Sequence, residues 1–457
     1  MKLSTSSDSL AGRSFGSVCH VGAFGRVRRS PAGKRGAFLL GRLVEAGGGG
    51  IRVRRLGQNR AGEIRLTRFL RNPVVRVEEM VSEAAARVTS RCAGRHVLAI
   101  QDTTVVRSQG GGGLYLHPTL AVDGADGAIL GVIHAEFLTR TEGVKATRRK
   151  RRVRDKESGR WLRGADRAAA VCAEAARVTV IADRESDIYE AFADCPAGVE
   201  LLVRAAHDRS VDEEAGRLFG HADGLPEAAR AGLDVPAKAG RRARRATLAL
   251  RFGAVRIARP RNGLRAGLPA SLDLWLVDAR EVDPPAGERP IHWLLLGTRP
   301  VRDLEAAREA IELYRRRWNI EQVFRTLKTK GFDIEAVRIE AERPLCNLIM
   351  ASLVAAVVVQ QLVHGREGDG QRPLTEAFDA SDQPLLEAFC ARLEGKTQRQ
   401  KNPHPVGSLP YAAWVCARLG GWTGYYGKPG PIVMLRGWLE FHAARRGIEA
   451  LGAFRNV

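Results

Sequence analysis

The chain has 457 residues, with 73 Lys and Arg against 51 Asp and Glu and a formal net charge of +22. That balance points to a polyanionic partner, nucleic acid first and an anionic membrane surface second, on a chain long enough for about two or three domains. The longest apolar run, Leu348–Val359, suits a buried helix better than a membrane span, no export signal is apparent, and seven scattered cysteines without a C-x-x-C read as reduced thiols in a cytosol, not a disulfide or zinc framework.

Residues 1–60 carry 12 Lys or Arg against two acids and the glycine run Gly47–Gly50. Their periodicity is weak. They read as a basic arm that meets DNA backbone without sequence preference, or as the product of a frameshift or wrong start upstream. A helix is expected over 76–92. His96–Val106 then alternates into an apolar strand that ends at Asp102-Thr-Thr. A carboxylate at the end of a buried strand is costly unless paired, hydrogen-bonded or metal-bound. Asp102 is therefore either a turn former or a functional group. Strands Leu114–Val122 and Ile129–Leu138 follow, joined by a turn at Asp123–Gly127.

The segment Arg148–Arg163 is too rich in arginine and lysine for a buried element. It reads as a solvated loop or as a flexible clamp on phosphates, and within it lies K-E-S-G-R-W at 156–161. A helix over 164–176 leads to the apolar strand Val178–Ala182, which ends in Asp183-Arg-Glu-Ser-Asp187. A helix over 186–194 is expected next, capped by Ser186 or Asp187, then a strand Val199–Ala205 that holds Arg204. Capping or salt-bridging roles fit Glu185 and Asp187. Residues 208–290 show alternating runs at Ala246–Phe252, Val255–Ala258 and Leu272–Val277, and read as an inserted β-rich segment. The strand at His292–Leu296 places Trp293 at its start, where core or sheet packing is the ordinary role.

Residues 311–331 hold no Pro or Gly before Gly331 and read as one long helix. At about 100° per residue, Tyr314, Arg317, Glu321 and Lys328 share a face within about 60°. Leu313, Ile320, Phe324 and Leu327 form an adjacent apolar stripe. Such a helix is either an ordinary amphipathic surface helix or one that presents a carboxylate among cations. Helices are expected over 345–363, 384–395, 411–419 and 432–446.

The spacing of Tyr314, Arg317, Glu321 and Lys328 resembles the Y-R-E-K signature of the insertion-sequence-four family of bacterial DDE transposases. The resemblance extends to Phe69-Leu-Arg-Asn-Pro73, to D-T-T at Asp102, to K-E-S-G-R-W, to D-R-E-S-D at Asp183, and to A-R-L-G-G-W and G-W-L-E-F-H at 417–422 and 437–442. It implies an α/β fold: an RNase H-like catalytic core with a mixed sheet over 71–370, carrying the β-rich insertion at about 208–290. A C-terminal helical domain, 371–457, would pair two subunits, and residues 1–70, where the family pattern is not matched before Phe69, would be an N-terminal basic region, DNA-binding or frameshifted. It further implies that Asp102, Asp183 and Glu321 hold two Mg²⁺ ions, for which Mn²⁺ can substitute. Carboxylate ligands suit those ions better than zinc. Tyr314, Arg317 and Lys328 would position phosphates, Trp293 would stabilise a flipped base, and Arg204, Arg338, Glu340 and Asn347 would make further DNA contacts.

The implied activity is cut-and-paste transposition: nicking, hairpin formation and opening, and strand transfer. The partners would be double-stranded DNA at terminal inverted repeats, target DNA and a second copy of the chain in a synaptic complex. The location would be the bacterial cytoplasm, on the nucleoid and not at a membrane. Two other readings stand beside it. One is a catalytically silent DNA-binding regulator or decayed transposase with an altered N-terminus. The other is a structure-specific nuclease that needs no inverted repeat.

Overall fold

A computed structural model describes residues 51, 56–57 and 59–455, apart from 110–111, 141–156, 212–215, 236–241, 262–266, 329–330 and 369–370. The N-terminal basic region up to residue 50 and most of the arginine-rich segment, 148–156, thus lie outside the described residues. Two helices come first, α1 (Arg60–Arg71) and α2 (Val77–Cys92). Asn59 caps α1 by accepting the Gly62 N–H. Four strands follow: β1 (His96–Gln101), β2 (Thr104–Gln109), β3 (Gly112–Asp123) and β4 (Ile129–Arg140). Next come α3 (Gly159–Val171), β5 (Arg177–Ala182), the short α4 (Tyr189–Ala193) and β6 (Val199–Arg204).

The β-rich stretch contains a short helix, α5 (Leu218–Gly224), and three strands, β7 (Ala229–Val235), β8 (Arg244–Ala258) and β9 (Ser271–Val282). Then β10 (His292–Gly297) leads to α6 (Leu304–Arg315) and α7 (Trp318–Leu327). The C-terminal part is helical: α8 (Glu342–Gly365), α9 (Gln383–Leu393), α10 (Leu409–Leu419) and α11 (Pro431–Arg455).

Among the described residues, all ten strands belong to one mixed sheet. β1, β5 and β6 run parallel at its centre, and the other pairings are antiparallel. The β-rich stretch continues this sheet through β9 on β10, so its strands share the hydrogen-bond ladder of the centre. Successive side chains on the inner strands alternate between two apolar clusters. Leu98 and Ile100 of β1, Ile181 of β5 and Leu202 of β6 face one cluster together with α6, α7 and α8. Val97, Ala99, Val178, Val180, Leu201 and Val203 face the other, with parts of α2 and α3. A parallel centre covered on both faces explains why these strands read as unbroken apolar runs. The mixed sheet, its helical cover and the helical C-terminal part match the RNase H-like plan expected from the sequence.

Several elements differ from the sequence reading. The helix expected over 164–176 begins at Gly159 and ends at Val171. The helix expected over 186–194 is a single 3₁₀ turn, Arg184–Ser186, followed by α4. Neither Ser186 nor Asp187 caps it: Asp183 accepts the Arg184 N–H, while Asp187 is drawn away by the backbone N–H groups of Ala206 and His207 and by Arg209. α8 is long and apolar enough to cross a membrane, but 89% of its most apolar window is buried inside the protein. It is therefore a core helix. The six described cysteines are free thiols.

The largest correction concerns residues 311–331. The described chain there forms the end of α6 and the whole of α7, with a break at Arg316–Arg317 and an end at Leu327. Across the break, N–H groups reach back three residues: Arg316 to Leu313, Arg317 to Tyr314, Asn319 to Arg316 and Ile320 to Arg317. That pattern tightens the chain into a 3₁₀-like turn. The pull comes from outside the helix. The Arg316 guanidinium donates to the carbonyls of Asp123, Gly124 and Ala125, and Asn319 Nδ2 donates to the Gly127 carbonyl at 3.2 Å.

Candidate active site

The parallel pairing of β1 with β5 sets the site. Ile100 lies opposite Ile181, so Asp102 and Asp183, two residues further on each strand, leave the sheet at the same end. Strand alternation also gives them the face of Ile100 and Ile181, which is the face covered by α7. β1 and β2 both pair with β3, and the ladder is interrupted at Asp102–Thr103 between Gln101↔Thr119 and Thr104↔Leu116. β3 contributes His117-Pro118 there, and a proline has no N–H for a ladder. The gap frees Asp102 to turn into the site.

Glu321 comes from the first turn of α7, whose apolar residues Ile320, Val323, Phe324 and Leu327 anchor it to the core. Arg317 gathers the three carboxylates. Its Nη1 lies 2.8 Å from Asp102 Oδ2, and its Nη2 lies 3.0 Å from Glu321 Oε1 and 3.8 Å from Asp183 Oδ2. The Arg317 side chain is only 11% exposed. Burial opposes its charge, yet Tyr314, Asp102, Asp183 and Glu321 hold the guanidinium above its ordinary pKa.

Burial raises the Asp102 pKa to about 6; Arg317 and the Thr103 N–H, 2.7 Å from Oδ1, pull the other way, while Glu321 and Asp183 add to the rise. Tyr314 Oη donates to Asp183 Oδ1 at 3.2 Å. Burial, with the Asp183 charge beside it, pushes the phenol above its usual range. Trp293 sits edge-on to Tyr314, with ring centroids 5.7 Å apart. Arg204 donates to the His292 carbonyl at 2.6 Å, and its Nη1 is 3.9 Å from Asp183 Oδ1.

Six of the eleven residues singled out from the sequence thus form a connected group: Asp102, Asp183, Glu321, Arg317, Tyr314 and Arg204, with Trp293 against its edge. Lys328 does not join it. The chain leaves helical geometry at Lys328, whose ammonium pairs with Glu335 at 2.7 Å. Arg338 is exposed in a segment that Arg107 holds by donating to the carbonyls of Val337 and Ile339. Asn347 is fully buried and donates to the carbonyls of Leu70 and Val75, so it secures α8 to the end of α1 and faces no solvent.

A layer of residues behind Asp102 was not assigned a role from sequence. Thr103 Oγ1 lies 2.9 Å from His117 Nδ1 and accepts from Arg160 Nε at 3.1 Å. Arg160 also donates to Glu185 at 2.7 Å, in the turn that follows Asp183. Burial drives the His117 pKa down to about 3, and Arg160 adds to the effect, so the ring is neutral at pH 7. The signal for Arg160 was present in K-E-S-G-R-W. Trp318, next to Arg317, keeps 54% of its surface exposed.

The donor set is all carboxylate oxygen, which suits a hard divalent cation such as Mg²⁺ or Mn²⁺. Three acidic groups gathered on one guanidinium also show that this pocket is built around positive charge. Among the described residues no three His, Cys, Asp or Glu side chains are spaced to hold one ion as they stand. The carboxylates fit a cation in kind, and Arg317 offsets only part of their charge.

Residues 139–358 match the family model described as the transposase DDE domain. The matched stretch includes Asp183, Arg204, Trp293, Tyr314, Arg317 and Glu321. Asp102 precedes it and is joined to the group by geometry.

Proposed function

We propose that this chain, which carries a transposase DDE domain over residues 139–358, is a DNA transposase of the cut-and-paste kind whose reacting centre is Asp102, Asp183 and Glu321. The observation that supports this most directly is the convergence of all three carboxylates on Arg317. The partners are double-stranded DNA at terminal inverted repeats, target DNA, and a second copy of the chain in the synaptic complex. The finer family expectation, an insertion-sequence-four relative that nicks, forms a hairpin and transfers the strand, belongs to the same reading.

The three carboxylates would hold Mg²⁺, or Mn²⁺ in its place. Two such ions when bound activate the attacking oxygen and steady the leaving oxygen of a phosphodiester. Everything else falls to the chain itself. Arg317 and Tyr314 stand at the carboxylates with hydrogen-bond donors that also suit phosphate. A DNA phosphate that shares the Arg317 guanidinium would loosen its hold on the carboxylates and strengthen the cation binding that they offer without DNA. Arg204 lies on the Asp183 side of the same pocket and adds positive charge. Trp293, packed on Tyr314 at the start of β10, offers a flat apolar surface for an unstacked base. The described site residues line one end of the sheet, and the +22 net charge supplies long-range attraction for the duplex.

The test is a cleavage assay with Mg²⁺ or Mn²⁺. The wild type and Glu321→Ala would each meet a duplex ending in the inverted repeat that flanks the gene, and a scrambled duplex. Cutting at the repeat end alone, reduced at least about 100-fold in Glu321→Ala, is expected. Equal cutting of both duplexes would mean a general nuclease. Binding without cutting by both proteins would mean a regulator.

A further inference from the structure

The K-E-S-G-R-W stretch places a buried arginine between the two aspartate turns, and the transposase reading gives it no task. Arg160 is 4% exposed. Its Nε–H donates to Thr103 Oγ1 at 3.1 Å, and its Nη2 donates to Glu185 Oε2 at 2.7 Å. Thr103 directly follows Asp102 and gives it a backbone N–H; Glu185 lies two residues beyond Asp183 in the 3₁₀ turn that Asp183 caps. One planar guanidinium thus joins the β1–β2 turn to the turn after β5. Its Nη1 donates to the Glu157 carbonyl at 3.0 Å, which ties both turns to the start of α3.

The donor pattern fixes the rest of the chain of bonds. Because Arg160 occupies Thr103 Oγ1 as a donor, the threonine proton is free to go to His117 Nδ1, 2.9 Å away. The neutral imidazole then carries its proton on Nε2 and donates to Gln101 Oε1 at 3.2 Å. The Gln101 amide donates in turn to the Trp161 carbonyl at 3.3 Å, beside Arg160 itself. The His117 and Trp161 rings meet edge-on at 4.5 Å. A fully buried imidazole, an amide, a hydroxyl and a guanidinium are all satisfied in one direction.

We infer that Arg160 is a positioning residue: it sets the separation and orientation of Asp102 and Asp183 for a shared divalent cation, and it fixes the His117 tautomer that steadies the Asp102 turn. This rests on the proposed role of those two aspartates. A lysine at 160 keeps the charge, but its single ammonium cannot bind the two turns with a rigid fork.

The test measures Mn²⁺ binding to the full-length protein by calorimetry, without DNA, for wild type, Arg160→Lys and Glu185→Gln. Folding is checked by thermal melting without metal, and the His117 ring nitrogens are read by ¹⁵N NMR. Arg160→Lys is expected to weaken Mn²⁺ binding about 10- to 100-fold, as loss of an outer partner of a metal ligand does. Its His117 nitrogens should also lose the single-tautomer pattern of the wild type. Glu185→Gln replaces a mostly exposed carboxylate, is expected to stay folded, and should weaken Mn²⁺ by less. Unchanged Mn²⁺ affinity in the folded variants overturns the positioning role. No Mn²⁺ binding by the wild type overturns the carboxylate centre itself, and the role of Arg160 with it.

Discussion

Arg317 is the residue on which the site turns, because it is the common partner of three acids that would otherwise repel one another. Arg317→Gln leaves them without that counter-charge. At pH 7 without divalent cations the variant should lose about 1–3 kcal/mol of stability, read by urea unfolding. Mn²⁺ should then raise its melting temperature more than it raises that of the wild type, since the ion replaces the lost charge. Equal Mn²⁺ shifts in the two proteins would contradict this account of Arg317. Asp102 adds a pH dependence. Its folded pKa, near 6, lies above the ordinary 3.8, so the cation-free folded state holds a proton there that the unfolded chain has released. Stability from this group is therefore full below about pH 4 and declines as pH rises toward 6. A cation must displace that proton, so Mn²⁺ affinity should fall as pH drops below about 6. A flat affinity profile between pH 5 and 7 would contradict a cation site that includes an Asp102 carboxyl raised by burial.

At the scale of elements, strand patterns were more legible than helix ends. β1 and β5 stand out as apolar runs that stop at an aspartate, because a strand buried on both faces leaves few polar residues to confuse its limits. The helix over 311–331 was legible as helical, but its break was not. No Pro or Gly marks it, and the cause is Arg316, which binds carbonyls of the β3–β4 turn nearly two hundred residues earlier in the chain. Local propensity carries no information on such a distant partner. The face drawn on a straight helix still joined Arg317 to Glu321, which are one turn apart, but it failed for Lys328, where the helix ends. Arg316→Ala should cost about 1–3 kcal/mol in urea unfolding, from the loss of charged donors to the carbonyls of the β3–β4 turn. It should also slow repeat-end cleavage more than it weakens DNA binding, because Arg317 and Glu321 follow the break. A fully active variant would show that the break does not position them.

For the whole molecule, the order strand–Asp102, strand–Asp183, β-rich stretch, helix–Glu321 could be read along the chain. What could not be read was that the β-rich strands extend the central sheet, since the pairing of β9 with β10 is set by partners and not by pattern. Nor could the chain order reveal the chain of bonds from Arg160 to His117, whose members lie on four separate elements. The match to the transposase DDE domain begins after Asp102, so the first carboxylate stands on its D-T-T motif and on geometry, outside the matched stretch. Asp102→Asn therefore tests the account most directly. It keeps the size of the side chain and removes the charge. Mn²⁺-dependent cutting of the repeat-end duplex by this variant should fall at least about 100-fold, with duplex binding held close to that of the wild type. Cutting at the wild-type rate would contradict the claim that Asp102, Asp183 and Glu321 form one centre.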